Sequence, residues 1–286
     1  MNNTGVIFES IELIEESLFE PVSVISVADR FGYSWYHFGR LFKGVTGHTP
    51  KEYIQRRRLS EAARRIASSR EKIIDIALTC GFQNHEHFSR SFKRYFGMNP
   101  TDLRRPGAAS FPFFERIRVP GARRSPSQKE GEPDIVELGP LVLAGLSTFV
   151  GENTRVISEL WGLVMEEAER AFGPEARREW HQLAFWPEHV EWRGFFCLAG
   201  MAVGSAADAP MSMVVKRVPA ARYLRFVHVG QSHTVESTYR HIYERWLPDS
   251  EYKPALAYNM ERCGERFLGP FNEESETDIL IPICAL

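Results

Sequence analysis

The chain has four cysteines in 286 residues, Cys80, Cys197, Cys263 and Cys284, and no two of them form a C-x-x-C pair. That excludes a zinc ribbon and a thioredoxin-type redox motif, and it fits a reducing cytosol better than a disulfide-stapled secreted fold. Long apolar runs are missing too, since none approaches the roughly 20 residues that a membrane-spanning helix requires. The first residues lack the basic-then-apolar layout of a signal peptide, so the expectation is a soluble, cytoplasmic protein with no membrane partner. Enzyme signatures are scarce: there is no P-loop, no Rossmann glycine fingerprint and no Ser-His-Asp spacing. His85 and His87 invite a metal reading, but helical metal-binding histidines stand at i, i+3 or i+4 and this pair stands at i, i+2. Neither a metal nor a cofactor is expected.

What is present is a duplication. An alanine followed four residues later by a glycine occurs at Ala28/Gly32 and again at Ala77/Gly81, the punctuation of a tight turn between two helices. An aromatic follows each glycine, Tyr33 and Phe82, and then an N-cap residue, Ser34 or Asn84. The pairs Phe38/Phe88, Arg40/Arg90, Phe42/Phe92, Lys43/Lys93, Gly47/Gly97 and Pro50/Pro100 continue the match. Two helix-turn-helix units are expected, each with a second helix able to enter a major groove. Between them, Lys51 to Ala67 contains neither proline nor glycine and reads as one connecting helix, about 25 Å long at 1.5 Å per residue. That spacing suits two successive major-groove segments of double-stranded DNA. Charge agrees: residues 1–129 hold 21 Lys+Arg against 13 Asp+Glu, a net of +8, while residues 130–286 hold 14 against 24, a net of −10. Only the front half suits a phosphate backbone.

Candidate DNA contacts follow from the second helix of each unit. Ser34, Trp35, Tyr36, Gly39, Arg40 and Lys43 belong to the first, and Asn84, His85, Glu86, Ser89, Arg90 and Lys93 to the second. Arg40 and Arg90 each stand two residues after a core phenylalanine, on an expected solvent-facing stripe, where an arginine can meet guanine or phosphate. Arg56, Arg57 and Arg58 are consecutive, so they point about 100° apart and at most one or two reach phosphate. Cys80, at an apolar position before the turn glycine, reads as core.

The strings Ile25-Ser-Val-Ala-Asp-Arg-Phe-Gly-Tyr-Ser, Gly47-His-Thr-Pro-Lys-Glu-Tyr-Ile-Gln-Arg-Arg-Arg-Leu, Ile74-Asp-Ile-Ala-Leu-Thr-Cys-Gly-Phe and Phe88-Ser-Arg-Ser-Phe-Lys-Arg-Tyr-Phe-Gly-Met-Asn-Pro resemble the AraC family of bacterial transcription regulators. The match runs from about Ile11 to Arg105. It implies sequence-specific DNA binding; seven helices are expected over residues 1–106, and RNA polymerase is an expected partner.

The back half repeats as well. Val136, Pro140 and Gly151 return as Val215, Pro219 and Gly230, an offset of 79 each time. Each copy runs from a strand (Leu141 to Val150; Arg222 to Val229) into an amphipathic helix (Arg155 to Phe172; Val235 to Trp246). Two short strands follow each helix: Leu183 to Trp186 and Phe195 to Val203, then Ala255 to Met260 and Asp278 to Ile283. Two tandem βαββ units imply a pseudo-twofold with a groove at the junction, a default ligand site. The strings Val218-Pro-Ala-Ala-Arg-Tyr-Leu-Arg-Phe, Met260-Glu-Arg-Cys-Gly-Glu-Arg-Phe and Asp278-Ile-Leu-Ile-Pro-Ile, with the stretch Tyr239 to Tyr252, resemble the GyrI-like effector-binding domain.

That resemblance implies a buried acid among aromatics, placed here on Glu261, and a small, mainly apolar effector, often a cation. Tyr258, Trp161, Trp186, Phe196, Tyr223, Cys197 and Cys263 are the expected neighbours. Cys197 and Cys263 stand where the pattern has hydroxyl-bearing rings, which favours a different ligand shape. The fold class is then an all-α domain of two helix-turn-helix units (1–106), a Pro/Gly/Ser-rich linker (107–133) and an α/β domain of duplicated βαββ units (134–286). The combined function is a transcription regulator that senses a small molecule, and not an enzyme. The alternatives are a hydrolase using Glu261 with Tyr258, and a back domain that binds a protein partner.

Overall fold

The structure is a computed structural model and describes residues 2–105, 113–118, 132–173, 179–187 and 194–285. Six helices fill the front half: α1 (Asn3–Glu16), α2 (Val24–Arg30), α3 (Trp35–Thr46), α4 (Pro50–Ser68), α5 (Ile73–Thr79) and α6 (His85–Phe96). A 3₁₀ turn over Asp102–Arg104 stands where a seventh helix was expected. The two tight turns form at Gly32 (φ 69) and Gly81 (φ 81), a left-handed backbone that side chains disfavour. Ser34 and Asn84 cap the helices that follow, accepting from the His37 and His87 amides. Thr49 and Glu52 close a capping box at the start of α4, with Pro50 in its first turn.

Most of the arginine tract on α4 is structural. Arg57 is buried, with its Nε 2.8 Å from Glu15 and its Nη1 2.9 Å from the Phe114 carbonyl. Arg58 donates to the carbonyls of Leu18, Glu20 and Gly81, tying the two helix-turn-helix units together.

The back half holds β1 (Asp134–Leu138), β2 (Leu141–Val150), α7 (Arg155–Phe172), β3 (Trp180–Phe185), β4 (Phe195–Val203), β5 (Val214–Val218) and β6 (Ala221–Val229). Then come α8 (Val235–His241), a π turn over Ile242–Trp246, β7 (Tyr252–Pro254), β8 (Tyr258–Cys263) and β9 (Glu276–Ala285). All nine strands join one sheet in the order β1-β6-β9-β8-β3-β4-β2-β5, with β7 on β9. Every contact between strands is antiparallel. The order is a palindrome of the duplication: each unit opens with one strand more than the expected βαββ, β1 or β5, and that strand crosses to pair with the second strand of the other unit, β1 with β6 and β5 with β2. The pseudo-twofold passes between β3 and β8. The sequence pattern predicts strands there over Leu183 to Trp186 and Ala255 to Met260. Each pairs instead in a shifted window, Trp180 to Phe185 against Tyr258 to Cys263, because the two strands complete one continuous ladder.

Packing does not divide where composition changes. One core joins Val6, Ile7, Ile11, Phe38 and Phe42 of the front half to Leu224, Phe226, Tyr243, Ile279 and Ile281 of the back half. The second helix-turn-helix unit has a core of its own, built on Leu59, Ile66, Ile76, Cys80, Phe88 and Phe92. Much of 107–133 lies outside the described residues, Phe111 included. Within it, Phe113 packs on the second of these cores and Phe114 on the first.

Candidate DNA-reading helices and ligand pocket

The two reading helices are built alike and situated differently. On α6, His85, Glu86, Arg90 and Lys93 are exposed, with Ser89 partly so, and the capping Asn84 is exposed as well. That face is free to enter a groove. On α3, Trp35, Tyr36, Gly39 and Arg40 are partly covered and only Lys43 is fully exposed, because α3 lies against the back half. The expected solvent-facing stripe is therefore corrected for Arg40. Its Nη2 donates to Glu236 at 3.0 Å and its Nη1 to the Tyr36 hydroxyl at 3.3 Å. Its guanidinium also stands 5.3 Å from the Tyr239 ring and 4.8 Å from the Tyr243 ring, within cation–π range.

The rest of the α3 face is engaged too. Tyr36 stacks on Trp186 with ring centroids 3.9 Å apart. Trp35 Nε1 donates to the Pro187 carbonyl at 3.2 Å. Between them, His37 is wholly buried: Nε2 donates to the Leu256 carbonyl at 2.9 Å, so Nδ1 accepts from the Tyr243 hydroxyl at 2.6 Å. Burial pushes the His37 pKa down to about 3, with the nearby Arg40 charge adding to it against the Leu256 bond. Next to α3, the buried Asn3 side chain donates to the Leu247 and Tyr252 carbonyls.

Beyond Tyr239 lies the acid. The Tyr239 hydroxyl donates to Glu261 Oε1 at 3.2 Å, and Gln182 bonds the same carboxyl. Gln182 is the counterpart of Glu261 at the offset of 79, and the two residues are register partners across the β3–β8 seam. Trp161 Nε1 in turn donates to Gln182 Oε1 at 2.9 Å. Desolvation pushes the Glu261 pKa up to about 7, while the bonds from Tyr239 and Gln182 hold it back and the Glu236 charge adds to the rise. Cys197 and Cys263 stand near enough for the Glu261 charge to join burial in pushing both thiols up to about 12. Neither is a reactive thiolate at neutral pH.

Of the eight ligand candidates, Glu261, Trp161, Cys197 and Cys263 gather on this helix-covered face, and Trp186 closes it against Tyr36. The other three do not join them. Tyr258 stands three residues before Glu261 on one strand and so faces the opposite side of the sheet, where its hydroxyl meets that of Tyr223 at 2.6 Å. Phe196, next to Cys197, also faces away and stacks on Phe185. An acid/base pair of Glu261 with Tyr258 is not formed. Missed altogether were Gln182, Tyr239, Tyr243, Asn259 and Glu236. The repeat offset marks Gln182, and the i, i+4 spacing of Tyr239 and Tyr243 marks one face of the helix. Among the described residues, Trp186 Nε1 and Asn259 Oδ1 on this side are buried without a hydrogen-bond partner, as are His181 and Arg116 Nε elsewhere and Arg225 Nε and Glu276 Oε2 of the cleft described next.

An open cleft of about 1160 Å³ adjoins this face at Cys263 and Trp180 and runs along Glu179, Arg225, Arg262, Arg266, Glu276 and Asp278. Each of its arginines already has an acid: Arg262 has Asp278 at 2.6 Å, Arg266 has Glu276 at 2.9 Å and Arg225 has Asp134 at 2.8 Å. Among the described residues no cluster of side chains is arranged to hold a metal ion, and no helix is long and apolar enough to cross a membrane.

Comparison with known proteins matches both halves. A helix-turn-helix domain family covers residues 27–106, and the GyrI-like small molecule binding domain covers residues 131–283. The chain is 39% identical over 105 residues to the right origin-binding protein of Escherichia coli K12, covering 37% of this chain and 36% of that one. It is 36% identical over 104 residues to the multiple antibiotic resistance protein MarA of the same organism, covering 36% of this chain and 82% of that one. The chain thus matches about a third of the length of the right origin-binding protein. A solved AraC-type transcriptional regulator from Chromobacterium violaceum is 31% identical, with a TM-score of 0.33, covering 35% of this chain and 89% of that one. With more than half of its length matched by that domain, the chain belongs to the GyrI-like small molecule binding family, and it carries an AraC-type helix-turn-helix domain in front.

Proposed function

We propose that this protein is a transcription regulator whose front half, residues 1–106, reads two successive major grooves through α3 and α6, and whose back half, residues 134–286, senses a small lipophilic cation at Glu261. The observation that carries the ligand reading is the Glu261 carboxyl at the seam of the duplication, between Tyr239 and Gln182, with Trp161 behind and two orphaned polar atoms nearby. An organic cation placed there gains the carboxylate and the ring faces together, and burial strengthens both attractions. The net −10 of the back half favours cations over anions at long range.

On DNA, Arg90 and its exposed neighbours on α6 supply one half of the reading surface. Tyr36, Gly39 and Arg40 supply the other when α3 is free. Two readers in one chain suit an asymmetric site, so no palindrome is required. Calorimetry with the full chain tests the ligand reading: lipophilic cations bind the wild type and lose affinity with Glu261→Gln, while neutral aromatics of the same size do not discriminate. Equal binding of cations to both proteins would make Glu261 structural and leave Cys197 and Cys263 marking a site for a neutral ligand.

A further inference from the structure

We propose that α3 is an internal ligand of the sensor: in the free protein its DNA-reading face is docked on the back half with Arg40 held on the Tyr239 ring that borders the effector acid, so that docking excludes DNA reading by α3 and competes with effector binding. The inference rests on the reading of α3 as a DNA reader and of Glu261 as the ligand acid. It adds that one face serves both partners.

Three observations carry it. The first is chemical: Arg40 is a cation on the rings of Tyr239 and Tyr243, paired with Glu236, and the Tyr239 hydroxyl is bonded to Glu261. The chain's own guanidinium thus stands one ring short of the acid, among the side chains a foreign cation would need. The second is steric. The residues expected at base edges, Tyr36 and Arg40, are the ones in contact with Trp186 and Glu236, and a helix cannot present one face to a groove and to a protein surface at once.

The third is a difference between the two copies. At the position where α6 carries the exposed Arg94, α3 carries Gly44. A Cβ at Gly44 would overlap the Tyr243 carbonyl, a backbone atom of the sensor. The glycine is what admits α3 to that surface, whereas in a free helix alanine is the better former. The second unit has no such glycine, and among the described residues its core holds no residue of the back half.

The test uses the full chain and two substitutions outside the base-edge set. Gly44→Ala removes the close approach. Glu236→Gln, on a side chain 63% exposed, removes the ion pair to Arg40 without disturbing the core. Two quantities are read: amide exchange across α3, and affinity for a fluorescent duplex enriched from a randomised pool with the wild-type chain. Benzylguanidinium is the probe cation.

Docking predicts faster α3 exchange in both variants. It predicts duplex binding about tenfold tighter for Gly44→Ala and a few-fold tighter for Glu236→Gln. It further predicts that benzylguanidinium exposes α3 and tightens duplex binding in the wild type, and that it binds Gly44→Ala more strongly than the wild type. Variants that expose α3 yet bind the duplex no better would overturn the proposal, as would a cation that binds without exposing α3. Should Gly44→Ala fail to fold, the Glu236→Gln arm decides alone. If benzylguanidinium binds neither chain, the ligand reading at Glu261 fails, and docking is then judged on the duplex affinities of the variants.

Discussion

At Glu261 the balance of burial against hydrogen bonding sets a charge near neutrality. Its pKa rises from an ordinary 4.5 to about 7 in the folded chain, so over that window the folded protein holds a proton that the unfolded chain has lost. The stability associated with this group is fully present below pH 4.5 and is lost as pH rises through 7. Allowing for its partial exposure, we expect the wild type to lose about 2 kcal/mol between pH 5 and 8 that Glu261→Gln retains, measured by urea unfolding. The same proton competes with a bound cation. Cation affinity should therefore increase from pH 6 to pH 8 in the wild type and stay flat in the variant. His37 works in the opposite direction, because it is docked as a neutral ring with a pKa of about 3. The docked arrangement has this contribution above pH 6.5 and loses it as pH falls toward 3. Exchange across α3, corrected for intrinsic rates, should quicken at pH 5.5 relative to pH 7.5.

Among the elements, α3 and α6 show how far a sequence discloses its own use. Their limits were legible, because caps, turn glycines and phenylalanine spacing are local signals and the structure keeps them. The same holds for α7, β2 and β4, whose ends fall on the expected residues. What covers α3 was not legible. Its partners lie about 150 to 220 residues away, at Pro187, Glu236, Tyr243 and Leu256, and an arginine beside a tyrosine looks alike in a groove and on a protein. Tyr258 is a different case: strand alternation counted back from Glu261 would have placed it on the other face.

The unequal situations of the two helices give an expectation on DNA. Arg90→Ala removes a contact from an open helix, so it costs the full groove term, about 1 to 3 kcal/mol if it reads a base. On the docking proposal, Arg40→Ala would remove both a groove contact and the Glu236 contact that must break before DNA binds. Its net effect on duplex affinity should be smaller, which anisotropy titrations of the two variants at one salt concentration can compare. The connecting helix α4 carries a separate expectation. Arg57→Ala leaves Glu15 buried without its ion pair and should destabilise the protein by about 3 to 5 kcal/mol in denaturant titrations.

Across the whole molecule, the duplicated sheet brings two equivalent positions face to face and gives them different charges. Glu261 and Gln182 are register partners at the seam, so a strictly symmetric pair would present two acids or two amides. The observed pair keeps one carboxyl and gives it an amide donor. Restoring the symmetry with Gln182→Glu places a second carboxyl in the same half-buried space, where two like charges cannot both ionise cheaply. The pair should then hold one proton over a wider range, as coupled carboxyls do. Trp161 Nε1, which donates to Gln182 Oε1, can still donate to the new carboxyl, so the helix α7 contact survives. Below neutral pH the variant should therefore fold as well as the wild type. As pH rises toward 9 it should lose stability faster than the wild type and regain it on adding a lipophilic cation, which compensates the second charge. Thermal denaturation of the two proteins at pH 6 and pH 9, with and without cation, reads this directly. A variant as stable as the wild type at pH 9 without cation would mean that solvent reaches the seam freely, and that the acid there is not held in a closed site.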